Sequence, residues 1–372
     1  MGREIFQIYL VPGFVFQSVI VGGGYGTGRE IAEFFLVHGP LGGLFGLLVT
    51  AIAWSVILAI AFEFARMAQA YNYRTFFQVL LGPFWRIFEF LYLLIALLVL
   101  AVLGSAAGEM CANAFGTPPI VGILVLLSAT GALAYLGGAV IARALTYWSM
   151  LLYGVYAVFV CWVLAALGDN IGAAFSSAEI TGAWHADGLR YAAYNLIALA
   201  AVLFVLPVLK TRAQALRSGA FAGLIGVVPG LFVFIALLAE YPAINAAPVP
   251  IIVVLGALNA AWFFVVFQIV LFGTFIETGA GIVHAINERI AAALVDAGRT
   301  FTKTMRLAVA AIILGTAIFL ADAIGIIGLI AKGYGALSYA FIAVVVIPLL
   351  TIGMYRILSA IRNENRRAGA KP

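Results

Sequence analysis

Long stretches of this chain contain no charged residue at all. Residues 39–62, 91–108, 110–142, 144–168, 191–209, 218–239, 241–276, 307–321 and 333–355 carry no Asp, Glu, Lys or Arg. A helix needs about 20 apolar residues to cross a hydrocarbon core about 30 Å thick, and several of these runs are that long. Charged side chains make up 9% of the 372 residues and hydrophobic ones 65%, whereas a soluble domain averages about 25% charged. The chain therefore reads as an integral membrane protein built of helices. That reading argues against a soluble enzyme, a disulfide scaffold or a nucleic-acid binder. Cys111 and Cys161 lie in or beside apolar runs and read as packing residues. The first apolar run starts after Arg3 and Glu4 and shows no small-residue cleavage site. It reads as a span rather than a removable signal peptide.

Spans are expected near 6–37, 40–68, 84–113, 118–136, 144–167, 189–209, 214–240, 258–285, 304–321 and 335–358. Shorter apolar pieces at 247–257 and 323–333 fit re-entrant or interfacial helices. With ten spans and a cytoplasmic N-terminus, every Lys and Arg except Arg29, Arg190 and Lys332 falls on the inner side, as the positive-inside rule requires. The net charge of +5 is then an orientation signal, and both termini are expected in the cytoplasm. Polar residues 169–188 form the outer connection between two halves, 1–168 and 189–358, and 359–372 is a basic cytoplasmic tail. Five spans per half give the halves opposite orientations, the geometry of an inverted repeat.

The most informative segment lies midway along the first span: Gly22-Gly23-Gly24-Tyr25-Gly26-Thr27-Gly28-Arg29-Glu30. Each interior glycine costs a helix about 1 kcal/mol relative to alanine, so this cluster should unwind it. Unwound backbone at membrane depth is tolerated where it is buried in protein or lines a polar cavity, and transporters use it to bind substrates and ions. Close helix packing is the competing explanation of the glycines. Thr27 and Glu30 have capping-box spacing, which would start a new helix at residue 28. Glu30 is then either that cap or a carboxylate that couples protons or touches substrate. Arg29 either pairs with Glu33 at i,i+4 or anchors an anionic substrate group, to which the dipole of the following helix also lends itself. Tyr25 sits at the break itself and is a candidate for substrate contact or gating.

The segment GGGYGTGREIAEFF resembles the G-x-G-(F/Y)-x-(S/T)-G-(Q/R)-E-(I/L)-x-x-F-F pattern of bacterial YkvI-type membrane proteins. Further echoes are Tyr194-Asn195-Leu196, Thr278-Gly279-Ala280-Gly281 and Asn287-Glu288-Arg289. These proteins are classed as amino-acid permeases and are similar in architecture to the amino acid–polyamine–organocation superfamily with the LeuT fold. The resemblance implies an all-α membrane protein with a 5+5 inverted repeat, its first and sixth spans broken around a central site. It also implies alternating access by movement of spans 1, 2, 6 and 7 against 3, 4, 8 and 9.

Other polar groups at membrane depth extend the candidate list. Thr274, Glu277 and Thr278 share a face of the eighth span at i, i+3, i+4. That spacing resembles the eighth-span contribution to the sodium site of sodium-coupled LeuT-fold transporters. Na+ could bind there, or Glu277 could carry a proton instead; a buried glutamate is costly enough to be a functional hypothesis by default. Asn195 on the sixth span and Gln268 on the eighth are candidate substrate contacts, while Gln17 and Glu109 read as structural. Glu63 with Arg66 and Arg86 with Glu89 are expected ion pairs at inner helix ends. His38, His185 and His284 are dispersed without metal-ligand spacing, and no nucleophile–base arrangement suggests an enzyme. The sequence thus reads as an ion-coupled secondary transporter of a small polar or zwitterionic, amino-acid-like solute. It needs no cofactor beyond a coupling ion, Na+ or H+. An uncoupled channel or uniporter, or a non-transporting membrane sensor that keeps the fold, are the alternatives. Substrate identity and oligomeric state stay open.

Overall fold

Helix ends in this chain fall where the local chemistry stops the backbone ladder. In the computed structural model, which describes residues 2–136, 138–177, 179–296 and 298–369, Asn72 caps a short helix by accepting a hydrogen bond from the Thr75 N–H at 2.8 Å. Thr211 and Gln214 form a reciprocal capping box, and Thr302 accepts from the Met305 N–H at 3.3 Å. Each side chain satisfies an N–H that the first turn of a helix leaves without an intrahelical partner.

The first span is divided into α1 (Gly2–Tyr9), α2 (Val11–Ile20), α3 (Gly23–Gly26) and α4 (Arg29–Phe34). Then follow α5 (Gly39–Ala68), α6 (Tyr73–Leu81), α7 (Trp85–Phe115), α8 (Pro119–Leu136) and α9 (Gly138–Ser176). The second part of the chain holds α10 (Trp184–Asn195), α11 (Leu199–Val202), α12 (Arg212–Leu237), α13 (Pro250–Ala257), α14 (Ala261–Asp296), α15 (Lys303–Gly328), α16 (Gly335–Phe341) and α17 (Met354–Gly369). No strand occurs among the described residues. Among the described residues seven helical stretches are long and apolar enough to cross a membrane, so this is an all-α, multi-pass membrane protein. The longest of the seven, Lys303–Asn363, is interrupted at Gly325, whose φ of 73° and ψ of 164° break the helix.

Three boundaries differ from the sequence reading. The outer connection expected over 169–188 is shorter, because α9 continues to Ser176 past a kink at Leu167 and α10 starts at Trp184. The apolar piece at 323–333 is not a separate re-entrant helix. Beyond Gly325 the chain stays helical into the last span, with wide turns at Leu329–Tyr334, Ile342–Val346 and Leu349–Gly353. The piece at 247–257 does form a short helix, α13. Of the expected basic tail, residues 370–372 lie outside the described residues.

Two faces are recognisable from the contacts at the helix ends. On one, Glu63 bonds Arg66 at 2.7 Å and Arg212 at 3.2 Å, Glu89 bonds Arg289 at 2.9 Å, and Arg356 donates to the Val79 carbonyl at 2.7 Å. The Arg86–Glu89 pair expected from sequence is replaced by Arg289–Glu89, with Arg86 exposed. On the opposite face His38 bridges the Thr181 carbonyl (3.0 Å) and Asp187 (2.9 Å), and Asp187 also accepts from Arg190. Between the faces, Gly219 and Gly223 of α12 lie against the backbone of α5 at Ala59 and Ser55, where a Cβ would not fit. This is the small-residue spacing by which membrane helices approach closely.

Candidate functional site: a cavity at the broken first span

The glycine cluster produces the break its composition demands. α2 ends at Ile20, a single turn of helix forms at Gly23–Gly26, and Gly28 takes φ +76° before α4 begins at Arg29. A left-handed residue here would be strained with any side chain, so Gly28 lets the chain re-enter helix. The Thr27–Glu30 capping box does not form. The Thr27 hydroxyl donates to the Gly24 carbonyl at 2.9 Å and accepts from the Arg29 N–H at 3.2 Å. The Thr27 carbonyl is taken by the Ile251 N–H of α13 at 3.1 Å, so the short helix holds the break from the side.

Freed from capping, Glu30 turns inward. Its carboxylate accepts a hydrogen bond from the Tyr194 hydroxyl at 2.6 Å and is 6% exposed. The space it fills is the one Gly24 leaves: a Cβ on Gly24 would lie 2.7 Å from the Glu30 carboxyl carbon. Tyr25, Tyr191, Tyr194 and Tyr334 are all near enough to interact electrostatically with Glu30. The Tyr194 and Tyr334 rings stack at 4.8 Å, and Phe34, Phe35 and Trp54 close around Tyr191 at 5.6, 4.9 and 5.8 Å. α5 fixes this group from behind, since Trp54 donates to the Ala192 carbonyl and Thr50 to the Gly188 carbonyl.

Arg29 takes the first of the two roles its spacing offered, the pair with Glu33. It is 2% exposed, pairs with Glu33, and donates to the carbonyls of Asn245 (2.7 Å) and Ala247 (3.0 Å), which ties α4 to the loop ahead of α13. It does not line the cavity described next.

A cavity of about 420 Å³ runs from this point toward the basic face, a volume typical of small-molecule sites. Glu30, Tyr194, Asn195 and Tyr334 form its inner end with Gly22, and Thr278 and Gly281 contribute from α14. Ile20, Val21, Ile95, Val99 and Ile197 make much of the wall apolar. At the outer end stands Arg289, held by Glu89 and sandwiched between the rings of Tyr73 (3.8 Å) and Tyr92 (3.5 Å).

The remaining expected site residues distribute unevenly. Asn195 lines the cavity and donates to the Tyr191 carbonyl at 3.0 Å. It ends α10, after which the sixth span tightens to a 3-10 turn at Leu196–Ala198 and again at Leu203–Val208, around Pro207. The sixth span is thus narrowed at its centre, with no unwound gap like that of the first. Gly26 serves packing: its carbonyl accepts from the Tyr156 hydroxyl, and a Cβ would strike Leu271. Of the α14 trio only Thr278 faces the cavity. Thr274 donates back to the Val270 carbonyl at 2.8 Å, and Glu277 is buried outside the lining. Gln268 lies further along α14, away from the cavity. Tyr25 is buried behind the break, its hydroxyl 2.8 Å from where a Cβ on Gly230 would stand. Among the described residues no group of three His, Cys, Asp or Glu is placed to hold a metal ion.

Tyr334 and Arg289 were not singled out as site residues by sequence. Tyr334 had a signal: Gly333-Tyr334-Gly335 repeats the Gly24-Tyr25-Gly26 tripeptide. Arg289 had a weaker one, because its counter-ion lies 200 residues away on α7.

With the break, the cavity and the helix order in view, the architecture is that of the LeuT-fold class. Over 94% of this chain and 86% of the other, it superposes on a Na+-coupled sialic acid symporter in a substrate-bound, outward-open state, with a TM-score of 0.51 and 10% identity. A second match is Mhp1, a nucleobase-cation-symport-1 family transporter, with a TM-score of 0.46 and 12% identity over 90% of this chain and 74% of that one. In sequence, the chain is homologous to the uncharacterized membrane protein YkvI of Bacillus subtilis (strain 168), at 32% identity over 115 residues. That alignment covers 31% of this chain and 33% of YkvI, so it spans about a third of either protein. No family model matches the chain.

Proposed function

We propose that the protein is a secondary active transporter of a small, polar or zwitterionic solute, driven by Na+ or H+ and working by alternating access. The observation that carries this reading is the cavity at the broken first span. It runs from the break of the first span toward the basic face, while its inner end is backed by the packed rings of Phe34, Phe35, Tyr191 and Tyr194. A cavity beside a broken span at membrane depth suits a substrate site of a transporter. If the basic face lies in the cytoplasm, as the positive-inside rule expects, the cavity would lead toward the cytoplasm. The fold and the sequence similarity to YkvI support the reading. So does the placement of ionisable groups in the bundle interior, where they mark ion and substrate paths. The coupling ion would be taken on α14, by Glu277 or on the Thr274–Thr278 stripe beside the break. Spans 1, 2, 6 and 7 would move against spans 3, 4, 8 and 9.

Purified protein in liposomes, given an imposed Na+ or H+ gradient and a mixture of labelled amino acids and small amines, should accumulate at least one label above equilibrium. Equilibration without accumulation under every gradient would replace this reading by a uniporter. A ligand that binds without crossing would replace it by a sensor.

A further inference from the structure

We infer that the inner end of the cavity recognises an organic cation: the nitrogen of a protonated or alkylated amine, docked between the Glu30 carboxylate and the rings of Tyr194 and Tyr334. This deepens the transporter reading and rests on it only for the claim that the bound solute then crosses the membrane.

Four observations converge on positive charge. First, Glu30 is the sole acidic side chain lining the cavity among the described residues, and it stands beside the break of the first span. Second, the cationic group that would draw an anion there is absent from that end. Arg29, next to Glu30 in sequence, turns away to Glu33 and two loop carbonyls. Third, the unwound backbone that would suit a substrate carboxylate is already occupied by the chain's own. Glu30 lies over Gly24 so closely that no Cβ fits between them. Fourth, aromatic rings stand beside the carboxylate, Tyr194 through its hydroxyl. Tyr194 and Tyr334 stack at 4.8 Å and both line the cavity. A ring face attracts a cation through its quadrupole and serves weakly hydrated ammonium groups best.

The one basic lining residue among those described, Arg289, does not cancel this. It sits eleven positions beyond Thr278 on α14, about 16 Å along the helix at 1.5 Å per residue. Its charge is spent on Glu89 and the two tyrosine rings. A small amino acid held at Glu30 cannot span that distance, so Arg289 acts at the mouth. An inorganic cation fits the inner end less well than an organic one. Na+ must replace a tightly held water shell with several oxygens; apart from the Glu30 carboxylate and a few polar side chains such as Asn195 and Thr278, the lining offers mainly rings and the side chains of Ile20, Val21 and Ile197. Those apolar walls suit a compact hydrocarbon body attached to the nitrogen.

Choline and its carbon isostere 3,3-dimethylbutan-1-ol, which differ in charge and little in shape, provide the test, with 3,3-dimethylbutyrate as the anion and ethanolamine as the primary amine. Ligand-induced thermal shift and calorimetry on the full-length protein in detergent should show at least one amine binding 30-fold or more tighter than the neutral isostere. The anion should not bind. Glu30→Gln, close to isosteric, should lose at least tenfold. Tyr334→Leu should lose about fivefold and Tyr334→Phe should keep most of the affinity. The Phe–Leu pair keeps the test decisive if the Glu30 variant does not fold. The proposal is overturned by equal binding of the neutral isostere, by preference for the anion, or by no Glu30-dependent shift with any amine. A Glu30-dependent shift produced by NaCl alone, against an N-methylglucamine control, overturns it too. Amine binding at Glu30 without uptake in liposomes would sink the transporter reading and leave this one standing; gradient-driven uptake of an anion would do the reverse.

Discussion

The two narrowed spans that meet at the cavity are built in opposite ways. The first span gives up its helix at the glycine cluster, and the volume that Gly24 leaves free receives a carboxylate from the same chain. The sixth span keeps helical dihedrals through Leu196–Ala198 and only tightens its turns, contributing Tyr194 and Asn195 as side chains. One side supplies room and charge, the other supplies rings and a hydrogen-bond donor. The lesson is that a central site does not need two matching breaks. An unwound turn is needed only where something must sit inside the helix's own volume.

If this division of labour is right, substitutions in the two spans should differ in both size and kind. The largest effect is expected of Gly24→Ala, whose methyl would meet the Glu30 carboxylate. Ligand affinity should fall at least 100-fold while the protein stays monodisperse. Affinity within threefold of the parent would mean that the glycine only packs helices. Arg29→Ala should act on stability instead. Losing its bonds to Glu33, Asn245 and Ala247 should cost about 2–3 kcal/mol, since partners are left unpaired. Unfolding in denaturing detergent would register this, with ligand affinity within about twofold. A selective loss of affinity with unchanged stability would return Arg29 to the role of substrate anchor.

Tyr194→Phe removes the hydroxyl that donates to Glu30 at 2.6 Å. A hydrogen bond to a charged group contributes about 1.5–3 kcal/mol, so the amine affinity measured by calorimetry should change about tenfold with the ring stack retained. The smallest effect is expected of Asn195→Ala, about threefold, because its amide mainly serves the Tyr191 carbonyl. If Asn195→Ala proved more damaging than Gly24→Ala, the sixth span would be the principal binding element and the contrast would invert.

Much of this was legible before any coordinates. The charge-free runs marked the helices, and the glycine cluster marked the break. The i,i+4 spacing gave the Arg29–Glu33 pair, and Glu63–Arg66 was read in the same way. What could not be read was the choice among partners. Thr27 and Glu30 have capping-box spacing, yet the box loses to a tyrosine 164 residues away. Arg86 and Glu89 have ion-pair spacing, yet Arg289 wins because two rings hold its guanidinium in place. Thr274, Glu277 and Thr278 share a helical face, but the packing of α14 turns only Thr278 to the cavity. Local spacing states which bonds are within reach; it carries no information about competitors brought in from distant parts of the chain.

The sequence by itself therefore determined the membrane environment, the helical class and the position of the one unwound turn. Those follow from what hydrocarbon tolerates and what consecutive glycines cannot support. Only the tertiary structure decided the character of the cavity. The sequence sets Arg29 and Glu30 side by side, charges of opposite sign with equal claim on the site. Adjacent residues on a helix point about 100° apart. The packing of α4 between α10 and the loop before α13 sent the arginine to the loop carbonyls and the glutamate to the cavity. That single rotation puts the acidic group, and not the basic one, at the inner end.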